Sequence, residues 1–244
     1  MTKTSIMDKK QWKVLLPKLA FLLMLISCVL LSVFFLMRGA EHVSSSADTG
    51  LNTLVIDPGH GGFDGGAISD DGSKESDINL AIALKLRCLS ELLGQPLTMT
   101  REDDRIRSEY AEYSEHEDLV RRTEIVNDTP GAILISIHQN DFPTGQPSGA
   151  QVLYAASSGS EELGRRCHQN LITQLDPQNR RVAEPAPKAL YITSHVGCPA
   201  ILVECGFMSN NFEVQKLCSS AYQCSIALVL TASLLQYLSE AEML

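Results

Sequence analysis

Two histidines and two glutamates stand at places where a chain of alternating strands and helices can gather chemistry. Asp57-Pro58-Gly59-His60-Gly61-Gly62 follows the apolar run Thr53 to Ile56. His138-Gln139-Asn140 ends a second run at Ile133 to Ile137, and Glu204 ends a third at Ile201 to Val203. Glu75 starts a helical pattern whose apolar face begins at Ile78. In open α/β sheets, functional groups collect beyond the carboxyl ends of the strands. Two imidazoles and one carboxylate suit a catalytic zinc whose fourth position is left to water. Such an ion lowers the pKa of its water toward roughly 7 and polarises a carbonyl. A second carboxylate is then needed to accept the proton and pass it to a leaving nitrogen.

Each residue also has a plainer reading. A histidine after a strand is often a hydrogen-bonded rim residue, and the glycines around His60 could serve only a tight turn. Glu75 alone would be a first-turn carboxylate favoured by the helix dipole. Glu204 is harder to read that way, because carboxylates are rarely buried without a partner. No H-E-x-x-H or H-x-x-E surrounds any of the six histidines, and the glycine-rich segment lacks the Lys-Ser/Thr of a phosphate-cradling loop. His116, His168 and His195 read as surface or structural, with His195 the one expected nearest substrate. Cys205 reads as a small buried packing residue, and Arg101 and Arg122 as structural ion-pair residues.

The elements that must position these groups alternate. Thr53 to Ile56, Leu97 to Thr100, Ala132 to His138, Gln151 to Ala155, Leu190 to Thr193 and Ala200 to Glu204 read as strands. Ile78, Ile82, Leu86, Leu89 and Leu93 form a helical face that Gly94-Gln95-Pro96 should stop. Leu119 to Val126, a face through Leu163, Cys167 and Leu171, and a long stretch from Ser220 to Tyr237 read as further helices. The expectation is an α/β fold with a mostly parallel sheet covered by helices on both faces. The acidic stretch Glu102 to Asp118 has no periodicity and reads as a solvated loop.

Charge divides the chain. Of 20 Lys and Arg and 29 Asp and Glu, six and one precede residue 41, so the remainder carries 14 against 28. That acidity excludes nucleic acid as a natural partner, since phosphate must be met by Lys and Arg. Seven cysteines include no C-x-x-C pair, which removes support for zinc knuckles and thioredoxin-type redox motifs. Leu19 to Met37 is apolar apart from Ser27 and Ser32 and follows five lysines. Its 19 residues fall within the roughly 17 to 25 that cross a bilayer as a helix. The positive flank keeps the start of the chain in the cytoplasm and exports everything after Arg38. The expected organisation is a basic cytoplasmic segment at 1–18, a transmembrane anchor at 19–37, a linker at 38–52 and a catalytic domain at 53–240.

The segment Ile56-Asp57-Pro58-Gly59-His60-Gly61-Gly62, with Asp64, Gly66-Ala67, Glu75 and Asn79, resembles the opening of the zinc-dependent N-acetylmuramoyl-L-alanine amidases. The resemblance continues through Thr100-Arg101, Leu119, Arg122 and Asn127, Ser136-Ile137-His138-Gln139-Asn140 and Gly149. It closes with Pro199 to Asn210, read as P-A-I-L-V-E-C-G-F-M-S-N, and Glu213. It implies that His60, Glu75 and His138 bind Zn2+, that Glu204 is the catalytic carboxylate, and that the substrate is peptidoglycan. The bond cut would join the lactyl group of N-acetylmuramic acid to L-alanine. Gln139 fills the middle place of the family's His-x-Asn, which leaves the ligand intact. No cell-wall-binding repeat accompanies the domain, so the anchor would supply localisation. A short anchored member resembles the amidases of sporulation and germination that begin muramic-δ-lactam formation in spore cortex. The alternatives are a catalytically silent peptidoglycan-binding or activator module, and a different zinc peptidase of the cell wall. An acidic enzyme gains no electrostatic steering toward an anionic wall, so an activating protein partner is a further expectation.

Overall fold

The computed structural model describes residues 52–104, 114–144 and 147–241. The basic segment 1–18, the span 19–37 and the linker up to residue 51 lie outside the described residues. Six strands are β1 (Thr53–Pro58), β2 (Leu97–Met99), β3 (Ala132–Asn140), β4 (Gln151–Tyr154), β5 (Glu184–Pro185) and β6 (Ala200–Phe207). The helices among the described residues are α1 (Glu75–Leu92), α2 (Glu115–Asn127), α3 (Ser160–Leu175), α4 (Tyr191–Ser194), α5 (Asn211–Leu217) and α6 (Ser220–Ala241).

The strands form one sheet in the order β2-β1-β3-β6-β4-β5. β1 runs parallel to β2 and β3, β3 to β6, and β4 to β5, whereas β4 runs antiparallel to β6. The sheet is therefore mixed, with one antiparallel junction in an otherwise parallel order. Near-continuous apolar runs follow from burial on both faces. Leu54, Ile56, Ile133, Ile135, Ile137, Ile201 and Val203 belong to one core with residues of α1, α3 and α6. Val55, Leu134 and Ala200 point the other way, against Val126 of α2, Ile192 of α4 and Val196.

Ile78, Ile82 and Leu86 bury the face of α1, as their spacing requires, but Leu93 is the C-cap and stays exposed. Gly94, at φ 72°, follows that cap in the left-handed region that stops helices. α6 is long and apolar enough to cross a bilayer, yet it packs on α1 and α3 and buries Ile226, Ala227, Leu230 and Leu234.

Three readings change. Leu190 to Thr193, expected as a strand, supplies the short helix α4. The acidic stretch is not all loop: Ser114 caps α2 by accepting from the Glu117 amide, so Glu115 to Asp118 form a first helical turn. β6 does not end at Glu204 but continues to Phe207, which places Glu204 in the interior of a strand.

Candidate active site

Parallel register delivers three segments to one end of the sheet. Asp57 lies beside Ser136, Pro58 beside Ile137, and His138 beside Glu204. Glu75, the first residue of α1, enters the same end and is almost fully buried. The segment carrying His60 leaves β1 in a tight path, with His60 itself at φ 59°, the only non-glycine at positive φ among the described residues.

Such a conformation costs about 1–3 kcal/mol and must be held by its surroundings. Two arginines hold it. Arg122 donates to the Pro58 carbonyl at 2.7 Å and the His60 carbonyl at 2.6 Å, while Arg101 donates to the carbonyls of Pro58, Gly59 and Ser76. Arg122 is itself fixed by Asp57 at 2.8 Å and Asp118 at 2.6 Å. Burial opposes the charge on Asp57, but the Arg122 guanidinium and the hydroxyls of Ser136 and Thr100 lower its pKa to about 2. The expected ion pair is thus present for Arg122, and both arginines also satisfy loop carbonyls.

His60, Glu75 and His138 present ligand atoms that all lie within 4.8 Å of one another. His60 Nε2 is 3.3 Å from Glu75 Oε2, and His138 Nδ1 is 3.1 Å from Glu75 Oε1. A tetrahedral zinc with bonds of about 2.0–2.1 Å spaces its ligands about 3.3 Å apart, so the donor set fits that ion. The opposite nitrogen of His60, Nδ1, is 2.6 Å from Asp64 Oδ2. A carboxylate behind a ligating imidazole fixes its tautomer and directs the other nitrogen inward. Two glycines keep the cluster tight. A Cβ on Gly59 would lie 2.2 Å from His138 Nε2, and one on Gly66 (φ 65°) would lie 2.6 Å from Glu75 Oε2.

The two glutamates differ in their surroundings. Glu75 accepts from the amides of Ala67 and Gln139 and from Asn79 Nδ2. Burial would raise its pKa, but its contacts with His138 and His60 hold it well below the usual carboxylate range. Burial works against the charged form of His60, yet Glu75 and Asp64 raise its pKa to about 9. Glu204 Oε2 is buried with no hydrogen-bond partner among the described residues. Its burial, with the nearby charge of Glu75 adding to it, raises the Glu204 pKa to about 7 against the opposing pull of His138, His60 and Arg181.

All four sequence-derived site residues therefore meet at one end of the sheet. His195 does not join them: it precedes β6 at that strand's beginning, stacks on Tyr191 at 3.9 Å, and accepts Asn127 on its carbonyl. His168 is buried, with Nε2 2.9 Å from the Arg181 carbonyl oxygen. Cys205 is buried, as expected, and burial raises its thiol pKa. The supporting role of Asp64 was not read from the sequence, although its place four residues after His60 was a signal. Apart from the Asp118–Arg122 pair four residues apart, the arginine clamp joins residues 25 to 65 positions apart and had no local signal.

The family model for N-acetylmuramoyl-L-alanine amidase matches residues 54–236. A germination-specific N-acetylmuramoyl-L-alanine amidase of Bacillus subtilis (strain 168) is 32% identical over 194 residues, covering 77% of this chain and 80% of the relative. The CwlD amidase of Clostridioides difficile, solved in complex with the GerS lipoprotein, superposes with a TM-score of 0.73 at 36% identity, covering 77% of this chain and 98% of the other. AmiC2 of Nostoc punctiforme, also an N-acetylmuramoyl-L-alanine amidase, gives 0.67 at 28% identity, with coverage of 77% and 97%.

Proposed function

The chain belongs to the N-acetylmuramoyl-L-alanine amidase family and is a peptidoglycan amidase; on that premise we propose that His60, Glu75 and His138 hold a zinc ion and that Glu204 carries the proton. The observation that supports this division is the unpartnered Glu204 Oε2 beside a ligand cluster whose own carboxylate already accepts three hydrogen bonds. A zinc bound there supplies a Lewis acid that polarises the amide carbonyl and acidifies the attacking water. Glu204 takes the proton released as water oxygen bonds to the lactyl carbonyl carbon. When the carbon–nitrogen bond breaks, Glu204 returns that proton to the alanine nitrogen. Asp64 keeps His60 Nε2 turned toward the cluster, and Arg101 and Arg122 hold the backbone beneath it.

The setting that fits is spore cortex, where the product would be an alanine-free muramic acid ready for δ-lactam formation. The germination-specific relative supports that setting, and the neighbour solved with a lipoprotein supports a protein partner. The apolar stretch 19–37 would hold the catalytic domain outside the cytoplasm, at the wall or cortex side of the membrane.

The test is digestion of purified cortex peptidoglycan by the full chain, with chelator and then with zinc restored, followed by mass spectrometry. The expected products are peptides beginning at free L-alanine, lost with chelator and regained with zinc. Peptides cut at any other bond, or turnover unchanged by chelator, would overturn the proposal.

A further inference from the structure

Among residues at the site end of the sheet, Arg181 is a cation with an incomplete set of partners. Its backbone amide donates to Asn179 Oδ1 at 2.9 Å, and its carbonyl oxygen is 2.9 Å from His168 Nε2. Its side chain donates from Nε to the Ser148 carbonyl at 3.2 Å and from Nη1 to Gln151 Oε1 at 2.8 Å. The guanidinium lies over the Phe207 ring, 4.5 Å from its centroid. Nη2 has no acceptor among the described residues, and no carboxylate among them pairs with the side chain. A guanidinium fixed at two nitrogens and on one face, with a third nitrogen left over, is prepared to meet an anion.

The sheet order gives the direction from which that anion comes. β6 lies between β3 and β4, so Glu204 has His138 on one side and Gln151 on the other. The ligand cluster, Glu204 and the Gln151–Arg181 pair are thus arranged in sequence across the sheet. An amide with its carbonyl at the cluster and its nitrogen at Glu204 continues, on the nitrogen side, toward Arg181. The chemistry of the two sides differs as well. The muramic acid carboxyl is tied up in the scissile amide and carries no charge, whereas the departing peptide bears free carboxylates.

We infer that Arg181 binds a carboxylate of the stem peptide on the leaving side of the scissile bond and makes the enzyme selective for acidic over amidated peptides. This rests on the reading of Glu204 as the group that faces the leaving nitrogen. Arg101 and Arg122, the other arginines near the site, are taken up by loop carbonyls and, for Arg122, by Asp57 and Asp118.

The test uses the zinc-loaded full chain and two synthetic muramoyl peptides of equal length, one with its stem carboxylates free and one with them converted to carboxamides. The parent is expected to favour the acid by about 10-fold or more in kcat/KM, mostly through KM, as a charge-assisted hydrogen bond implies. In Arg181→Gln that ratio should fall toward one, and Arg181→Lys should recover part of it. Zinc content and melting temperature measured alongside separate loss of selectivity from loss of the loop. An equal fall on both substrates would assign Arg181 a merely structural or Glu204-tuning role and overturn the inference, as would a parent without preference. Cleavage of neither substrate by the parent would instead overturn the amidase mechanism on which the inference stands.

Discussion

Replacing Asp57 by asparagine tests the support beneath the site without touching a ligand. Its Oδ1 accepts from Arg122 Nη1 at 2.8 Å and Thr100 Oγ1 at 2.6 Å, and its Oδ2 accepts from Ser136 Oγ at 2.6 Å. The amide keeps the shape and most of these contacts but removes the charge opposite Arg122. The folded pKa of about 2 lies below the ordinary value of 3.8, so the ionised carboxylate stabilises the fold above pH 4 and that contribution fades as pH falls through 2. At 1.36 kcal/mol per unit, the shift corresponds to about 2 kcal/mol at neutral pH and about 1 kcal/mol at pH 3. Unpairing a buried arginine adds to this, limited here because Asp118 still holds Nε, so a total loss of about 2–4 kcal/mol is expected at pH 7. Urea unfolding of parent and variant at pH 7, 5, 4 and 3 reads the difference directly. It should stay level from pH 7 to 5 and narrow by about 1 kcal/mol by pH 3. A loss below 1 kcal/mol at pH 7, or a gap that does not close with acid, would refute the reasoning.

Two further outcomes follow from the site. Glu204→Gln should retain zinc and fold while losing about 10²- to 10⁴-fold in turnover, toward the upper end because one carboxylate serves both proton transfers; loss of metal would instead make Glu204 a ligand, and full activity would make it structural. Terminal sequencing of the mature protein should find residues 19–37 still attached, and a start near residue 41 would show that the apolar stretch is a cleaved signal.

The parts of the architecture that the sequence made legible are those with strong local signals. Apolar runs ending in polar residues marked β1, β3 and β6, and the steps from Ile78 to Leu86 marked α1. Leu190 to Thr193 misled because four residues cannot distinguish a period of two from one of 3.6, and here Ser194 closes a turn onto the Leu190 carbonyl. α5 escaped for the same shortness, although Asn210 followed by Glu213 offered a cap signal. Ser114 with Glu117 offered the same signal at the end of the acidic stretch. The mixed character of the sheet was not legible, because nothing in Gln151 to Tyr154 fixes which neighbour it joins or in which direction. The position of His195 at the wrong end of the sheet likewise depends on where the chain crosses over, not on its neighbours in sequence.

Glu75 and Glu204 differ in environment in the way that the proposed roles of ligand and proton carrier require. Glu75 lies at a helix start, where backbone amides, Asn79 and two imidazoles all favour its charged form. A carboxylate held ionised this firmly makes a steady ligand and a poor proton carrier. Glu204 lies within a strand, in apolar company along its own chain, with one oxygen lacking a donor among the described residues. With its pKa raised to about 7, its two protonation states are close in free energy at neutral pH, which suits the proposed role of accepting and releasing a proton. The separation arises from backbone placement: Glu75 opens a helix, whereas β6 continues past Glu204 and presents its side chain from within a strand. Exchange of the two proposed roles would require Glu75 to shed five polar contacts and Glu204 Oε2 to gain partners it lacks among the described residues.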